Sequence, residues 1–218
     1  MTVELDVVGS STEAVERVAE LVAERSREAI AARGRFTLAL SKASPALLTS
    51  LAASDLPWGE TSVYQVDERV APDGDPDRNL TALLAGLPEA AHGSLRAMPV
   101  AARDLGAAAA RYAAELPARL DLVHLGLGPD GHTASLVPGD PVLEVEDALV
   151  ALTGEYQGRR RMTLTYPALD AARKVIWLVT GEEKREALAA LLSRAPSIPA
   201  ARIAGPCQLV VADAAAAP

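Results

Sequence analysis

The sequence has very little cysteine and no long apolar run, and both absences exclude classes of protein. Cys207 is the only cysteine among 218 residues, which excludes an intrachain disulfide and a thiolate metal cluster. No apolar stretch reaches the roughly 18 residues that a membrane-spanning helix needs. The first residues also lack the charged-then-apolar pattern of a secretion signal. We therefore expect a cytoplasmic protein.

Aromatic residues and basic clusters are also scarce. Aromatic side chains make up 3% of the chain and apolar residues 50%, so we expect a core built mainly of Ala, Val and Leu. The formal net charge is −8, and the longest basic run, Arg159–Arg161, is too short to offset it. We expect no nucleic-acid and no membrane partner. A small anionic substrate is compatible with this balance, because a local site can oppose the global sign of charge.

Short apolar runs alternate with segments that have apolar residues at helical spacing, which predicts strands alternating with helices. Short connections between them are typical of a mostly parallel, Rossmann-like α/β sheet with helices on both faces, and we predict one such domain over residues 1–218. The predicted strands are Val3–Val8, Phe36–Leu40, Thr61–Val66, Leu122–Leu127, Ala148–Leu152, Arg161–Thr165, Val175–Thr180 and Gln208–Ala212. The predicted helices are Ala14–Ala32, Ala46–Ala53, Ala101–Leu116, Tyr166–Ala172 (helix or turn) and Glu182–Ser193.

Polar or glycine residues follow four of these strands, namely Ser41, Asp67, Gly128 and Gly181. Ligands of open α/β sheets bind outside the carboxyl ends of the strands. The sequence therefore predicts a ligand site at this edge of the sheet.

The segment Asp121–Ser135 carries the densest chemistry, because an apolar run leads into a glycine-rich turn with an Asp and a His. We interpret it as a buried strand, a tight loop and the first turn of a helix. A helix N-terminus favours an anion or a developing oxyanion and keeps a nearby histidine neutral and basic. His132 is thus the candidate general base, and the amides of Gly131 and His132 are candidate oxyanion donors. No His, Cys or Asp spacing suggests a metal, and we expect neither metal nor cofactor.

The same turn formally matches the dinucleotide fingerprint G-x-G-x-x-G over Gly126–Gly131. Pro129 removes a backbone N–H from the phosphate cradle, and the motif lies in mid-chain rather than at the start of the fold. The next strand offers no acidic residue for a ribose hydroxyl. These features argue against a dinucleotide cofactor.

Several motifs together resemble the 6-phosphogluconolactonase family, whose members hydrolyse a phosphorylated sugar lactone of the pentose phosphate pathway. The resemblance covers most of the chain, and its Gly128–Ser135 motif is specific. It implies an α/β fold, lactone hydrolysis and a small sugar-phosphate substrate. The matching segments are Leu125–Leu136 with Pro138-Gly139, Val66–Arg69, Asp75–Asn79, Arg161–Thr165, Ala168-Leu169, Ala171–Arg173, Val179–Lys184, Pro199–Arg202 and Asp213–Ala215.

The resemblance also implies site residues. His132 is implied as the general base, and the chemistry of lactone hydrolysis makes Asp67 a candidate to orient the sugar hydroxyls or the imidazole. Asp130 either caps its turn or takes part in function. The other candidate substrate-binding residues are Ser41, Ser44, Arg69, Gly128, Asp130, Gly131, Arg161 and Lys184, with Arg69, Arg161 and Lys184 as cations for the phosphate, and Lys42 is added as a hypothesis from its charge alone. A δ-lactone is already an activated ester, so its hydrolysis needs no metal.

One departure keeps other functions open. The family usually has Ser-Gly-Gly-Ser-Thr-Pro after the second strand, whereas Ser41–Pro45 here reads Ser-Lys-Ala-Ser-Pro. A Cβ at Lys42 and Ala43 restricts positive φ and close backbone approach, while Lys42 adds a charge. The main hypothesis is a lactonase, as a monomer or weak homodimer. The alternative is a catalytically weakened sugar-phosphate-binding protein. An amino-sugar phosphate deaminase or isomerase is less favoured, since those enzymes carry Asn in place of Asp130.

Overall fold

Strands and helices alternate along the chain in this computed structural model, which describes residues 3–205 and 207–218. The strands are β1 (Val3–Val8), β2 (Phe36–Leu40), β3 (Thr61–Gln65), β4 (Asp67–Arg69), β5 (Leu95–Arg96), β6 (Leu122–Gly126), β7 (Val150–Leu152), β8 (Arg161–Leu164), β9 (Val175–Val179) and β10 (Gln208–Asp213). The α-helices are α1 (Ser11–Arg33), α2 (Pro45–Ala53), α3 (Asn79–Gly86), α4 (Glu89–His92), α5 (Leu105–Glu115), α6 (Tyr166–Asp170) and α7 (Arg185–Leu192).

Seven strands form a parallel sheet in the order β1-β10-β9-β6-β2-β3-β5. The remaining strands form a small antiparallel sheet in the order β4-β8-β7. The order of the large sheet changes direction beside β6 and β2, where an open α/β sheet places its ligands. The predicted fold class, a mostly parallel α/β sheet, is confirmed, and the small sheet is an addition to it.

Apolar side chains cover both faces of the large sheet. Phe36, Leu38 and Leu40 of β2 point to one face, where they pack with the buried stripe of α1. Ala39 points to the other face, in the same cluster as Trp177 of β9 and the buried side of α5. This alternation follows from the two-residue period of a strand. Buried on both faces, the strands hold their carboxyl ends in fixed places.

The first helix illustrates how local sequence sets the element bounds. Ser10 caps α1 by accepting a hydrogen bond from the N–H of Glu13 at 3.2 Å, as its capping-box spacing predicts. Gly34 ends the helix with φ 72°, a left-handed conformation that glycine adopts without a Cβ clash. The observed helix, Ser11–Arg33, therefore begins three residues earlier and ends one residue later than the predicted one.

Other predictions differ from the structure in their extent. The strand predicted over Thr61–Val66 ends at Gln65, and residues 67–69 after it pair with β8 in the small sheet. The helix predicted from Ala101 begins at Leu105, where Asp104 accepts from the N–H of Ala107. Helix α3 was not predicted, since its first residue ends a polar loop that contains Pro and Gly. Within residues 3–205 and 207–218, no helix is long and apolar enough to cross a lipid bilayer.

Candidate active site

A cavity of about 290 Å³ opens at the carboxyl ends of β2, β3 and β6, with β4 and β8 along one side. The predicted site residues that line it are Ser41, Lys42, Asp67, Arg69, Gly128, His132, Arg161 and Lys184. Ser44, Asp130 and Gly131 lie outside the lining. Most of the residues predicted for the site therefore meet in one place, although they are far apart in the sequence.

A larger groove of about 510 Å³ lies between α1 and α2. It is open, and its lining includes Glu16, Glu20 and Arg27, which the sequence does not associate with chemistry. Volume alone therefore does not identify the site. The smaller cavity is the candidate because a histidine, a buried carboxylate and four cationic side chains converge on it.

The glycine-rich segment forms a closed turn, and the helix predicted after it is wrong. The N–H of Gly131 donates to the carbonyl of Gly128 at 2.9 Å, and the N–H of Gly128 donates to the carbonyl of His132 at 2.8 Å. Thr133 then pairs with Leu136 in an isolated β-bridge. Between them Ala134 has φ 51°, a left-handed conformation that a right-handed helix does not contain. His132 thus lies on a turn, without a helix N-terminus beneath it.

This turn also occupies the amides that the sequence offered as oxyanion donors. The N–H of Gly131 is bonded to the carbonyl of Gly128, as described above. The N–H of His132 donates to Oδ1 of Asp130 at 3.2 Å. Both amides already donate to acceptors inside the turn, so other groups of the cavity have to stabilise the negative charge of an oxyanion.

His132 and Asp130 form a directly bonded pair, in which Nδ1 lies 2.5 Å from Oδ1. Burial alone raises the pKa of Asp130, but the hydrogen bonds from the ring and backbone of His132 outweigh burial and lower that pKa. The ionised carboxylate only accepts hydrogen bonds, so Nδ1 carries the proton. Nε2 is then the basic nitrogen, as a general base requires. Asp130, rather than Asp67, orients the imidazole.

Asp67 lines the cavity although it is only 3% exposed. Ser135 Oγ donates to its Oδ2 at 2.6 Å, and Asn79 Nδ2 donates to its carbonyl oxygen at 2.8 Å. Burial raises the pKa of Asp67, while Ser135, Arg69 and Arg161 act to lower it. Ser135 therefore stabilises the carboxylate of Asp67, a contact that was not predicted from the sequence.

Glu68 fixes the backbone that carries Asp67 and Arg69. It is fully buried and accepts from the N–H groups of Asn79 and Leu80, both at 2.8 Å. Its Oε1 also accepts from the N–H of Arg69 at 2.7 Å. Because one carboxylate satisfies the first amides of α3, it ties that helix to β4. Glu68 and Asn79 were missed at the sequence level, since neither follows a strand as an isolated polar residue.

Arg69 and Arg161 face each other across the β4–β8 ladder. The Nε group of each is buried and has no hydrogen-bond partner among the described residues. Burial lowers the pKa of Arg161, and the neighbouring charge of Arg69 lowers it further. Two adjacent guanidinium groups with unused N–H donors are a binding site for an anion. Lys42, which is exposed, and Lys184, which is half-buried, add positive charge to the same cavity.

The loop Ser41–Pro45 reaches the cavity without glycine. Among the described residues, the non-glycine positions with positive φ are Ala134, Gln157 and Arg194, so Lys42 and Ala43 adopt ordinary backbone angles. Ser41 Oγ lies 3.5 Å from Nδ1 of His124, a core histidine whose pKa burial lowers to about 4.

Ser44 and Gly131 have structural contacts instead of cavity contacts. Ser44 caps α2 by accepting from the N–H of Leu47 at 3.2 Å. Gly131 has φ 79° and packs so closely on Ile198 that a Cβ there would collide with it. Both residues shape the elements that carry the site.

Comparison with known proteins places the chain in a family. A 6-phosphogluconolactonase from Synechocystis sp. is 39% identical over 86% of this chain and 84% of its own length, and one from Nostoc sp. is 37% identical over 85% and 83%. The crystal structure of a 6-phosphogluconolactonase from Thermotoga maritima, 23% identical, has the same fold, with a TM-score of 0.86 over 97% of this chain and 100% of that chain. The family model for glucosamine-6-phosphate isomerases/6-phosphogluconolactonase matches residues 9–212. The chain belongs to the glucosamine-6-phosphate isomerase/6-phosphogluconolactonase family.

Proposed function

We propose that the protein hydrolyses 6-phospho-D-glucono-1,5-lactone to 6-phosphogluconate, in the oxidative branch of the pentose phosphate pathway. The observation that carries the proposal is the His132–Asp130 pair, which leaves a basic Nε2 beside a cavity with four cationic side chains. A phosphorylated lactone needs both features, a base for the attacking water and positive charge for the phosphate. The names of relatives at 37% and 39% identity support this substrate.

In the proposed reaction, Nε2 of His132 takes a proton from water while the water oxygen attacks the lactone carbonyl carbon. The carbonyl electron pair moves to oxygen and gives a tetrahedral oxyanion. As the oxyanion collapses, the ring C–O bond breaks and the leaving oxygen takes the proton back from the imidazolium. Asp130 holds the tautomer and stabilises the imidazolium. One water is consumed, and the products are a carboxylate, its proton and a free hydroxyl group.

The cationic side chains are proposed to hold the negative charges of the substrate. Arg161, with Lys184 and Lys42, is assigned to the phosphate, since a bound anion would supply the acceptor that the buried Nε of Arg161 lacks. Arg69, beside it, shares the charge of the bound anion. Asp67 is assigned to the sugar hydroxyls, because its carboxylate lines the cavity without contacting His132.

The test of this function uses two substrates. We expect hydrolysis of freshly generated lactone well above the spontaneous rate, and no ammonia release from glucosamine 6-phosphate. Ammonia release without lactone hydrolysis would replace the proposal with an amino-sugar phosphate deaminase. Binding of 6-phosphogluconate without any turnover would replace it with a sugar-phosphate-binding protein.

Gly128→Ala is expected to lower kcat about 100-fold without removing a polar group. An added Cβ would collide with the imidazole of His132 and the carboxylate of Asp130. Because the turn is bonded within itself, these side chains have to move, and small displacements of a base cost rates of this order. Steady-state kinetics measure the effect. Gly93→Ala is the matched control, since an added Cβ there meets nothing within 4 Å, and its kinetics should equal the wild type's.

Asp67→Asn is expected to give a more stable and less active protein. Burial raises the pKa of Asp67 in the folded state. Protonated Asp67 therefore contributes fully to the stability of the fold below the pKa that Asp67 has in the unfolded chain. This contribution is lost as the pH rises through the pKa that Asp67 has in the folded protein. The neutral Asn of the variant does not titrate, so the variant does not lose stability as the pH rises. Its melting temperature should therefore exceed that of the wild type by a margin that grows as the pH rises from about 4.

Melting curves at several pH values measure this margin, and kcat/KM for the lactone should fall at least about tenfold. Asp55→Asn, a change at an exposed site, controls for the loss of one negative charge. A margin that shrinks with rising pH would contradict the assigned burial cost of Asp67.

The sequence predictions of a cytoplasmic location and of a monomer or weak homodimer stay predictions. The absence of nucleic-acid and membrane partners is likewise proposed, and the formal net charge of −8 supports it.

A further inference from the structure

Tyr156 lies between the His132–Asp130 pair and Arg161, outside the lining of the cavity. Its ring packs edge-on against the imidazole of His132, with 5.7 Å between the ring centroids and 60° between the planes. The guanidinium carbon of Arg161 lies 4.9 Å from the centroid of the same ring. The phenol oxygen lies 3.4 Å from Oδ2 of Asp130. One side chain thus touches the proposed base, its carboxylate partner and a proposed phosphate ligand.

The backbone around Tyr156 forms a hydrogen-bonded hairpin turn. The N–H of Tyr156 donates to the carbonyl of Arg159 at 3.0 Å, and the N–H of Arg159 donates back at 3.3 Å. The two residues between them, Gln157 and Gly158, have φ 53° and 75°, as a two-residue type I′ hairpin turn requires. Ion pairs from Arg159 tie this hairpin to the loop at residues 73–79. The hairpin therefore fixes the backbone from which the aromatic ring extends, and Gln157 of the same turn accepts from Nη2 of Arg161 at 3.1 Å.

We propose that the ring of Tyr156 is a positioning residue, which sets the place of both the His132 imidazole and the Arg161 guanidinium. The same ring then positions a residue that binds the phosphate and the residue that activates water. This inference rests on the proposed function. The ring carries the role because both of its contacts lie at favourable distances for cation–π and edge-on aromatic pairs.

The hydroxyl of Tyr156 contributes little by comparison. Its distance of 3.4 Å from Asp130 is long for an O–H···O hydrogen bond. Burial, and then the negative charge of Asp130, raise the pKa of Tyr156, so the phenol stays neutral and does not compete with substrate for Arg161.

Tyr156→Phe and Tyr156→Leu separate the ring from the hydroxyl. The phenylalanine variant keeps both ring contacts, and we expect its kcat and KM within about twofold of the wild type. The leucine variant loses them, and we expect KM for the phosphorylated lactone to rise about tenfold and kcat to fall about fivefold. Inorganic phosphate, titrated calorimetrically as a probe of the Arg161 site, should bind about tenfold more weakly to the leucine variant alone.

Glu155→Gln, at the exposed neighbouring position, is the matched control and should match the wild type in every measurement. A merely structural role would lower the melting temperature of both Tyr156 variants without recovery of kinetics by phenylalanine. Equal losses in both variants, or unchanged phosphate affinity in the leucine variant, overturn the inference. If the wild type binds phosphate but does not hydrolyse the lactone, the proposed function is overturned instead. The phosphate titrations would then still test whether Tyr156 positions Arg161.

Discussion

His132→Ala is expected to lower kcat for the phosphorylated lactone about 10²- to 10⁴-fold, with little change in KM. This range is typical for the loss of a positioned general base. The imidazole of His132 lines the cavity, and its Nε2 has no hydrogen-bond partner among the described residues, since Asp130 fixes the proton on Nδ1. The phosphate-binding cations are untouched by the change, so substrate affinity is retained.

Steady-state kinetics with subtraction of spontaneous hydrolysis measure this loss. His92→Ala is the matched control, because His92 lies at the end of α4 and does not line the cavity. Its rates should equal those of the wild type. Full lactone hydrolysis by the His132→Ala variant would rule out the proposed role of the imidazole.

Arg161→Gln is expected to lower kcat/KM for the phosphorylated lactone about 10- to 100-fold. The loss corresponds to one or two charge-assisted hydrogen bonds to a phosphate. The same change should leave kcat/KM for the unphosphorylated lactone nearly unaltered, because Arg161 is assigned to the phosphate rather than to the carbonyl. The ratio of the two values therefore isolates the role of Arg161 from any general damage to the fold.

Arg160→Gln is the matched control for this experiment. Arg160 is the neighbouring residue, it is exposed, and its Nε donates to the carbonyl of Thr153 at 3.4 Å, away from the cavity. Its substitution should change neither the ratio of kcat/KM for the two lactones nor the stability of the protein. If Arg161→Gln slows both lactones equally, the residue acts at the reacting carbonyl or on the fold, and its assignment to the phosphate is wrong.

The strands of the large sheet were predictable from the sequence because each carries its own local pattern. Phe36–Leu40 and Val175–Val179 are buried apolar runs, and turn residues follow them directly. A carboxyl-edge site follows from such strands with polar residues at their ends. This is why Ser41, Asp67 and Gly128 were assigned to the site without knowledge of any contact, whereas Arg69, Arg161 and Lys184 were assigned from the family resemblance.

The error after His132 has a cause that lies outside the local sequence. Small residues follow the glycine-rich turn and are compatible with a helix. Hydrogen bonds to residues outside the segment prevent a helix, since Thr133 Oγ1 donates to the carbonyl of Gly126 and Ser135 Oγ donates to Asp67. These contacts, with Ala134 in the left-handed region, fix an irregular segment. Tertiary hydrogen bonds thus override a weak local preference for helix.

Tyr156 and Glu68 escaped notice for a related reason. The Gln157-Gly158 pair favours a turn, but nothing in the local sequence shows that the turn carries an aromatic ring to His132. Glu68 lies beside the predicted Asp67, and its partners include the backbone amides of residues 69, 79 and 80 and the side chains of Gln65 and Arg78. Tyr156 and Glu68 act by holding other residues in place, and the contacts through which they do so are visible only in the folded structure.

The most direct test of the proposed lactonase is the initial rate with freshly generated 6-phospho-D-glucono-1,5-lactone, compared with D-glucono-1,5-lactone and an enzyme-free blank. We predict a rate far above the blank for the phosphorylated lactone. For the unphosphorylated lactone we predict a kcat/KM lower by about 100-fold or more, since it lacks the charge that Arg161, Lys42 and Lys184 are assigned to bind. A rate with the phosphorylated lactone no faster than the blank, or equal kcat/KM values for the two lactones, would contradict the account.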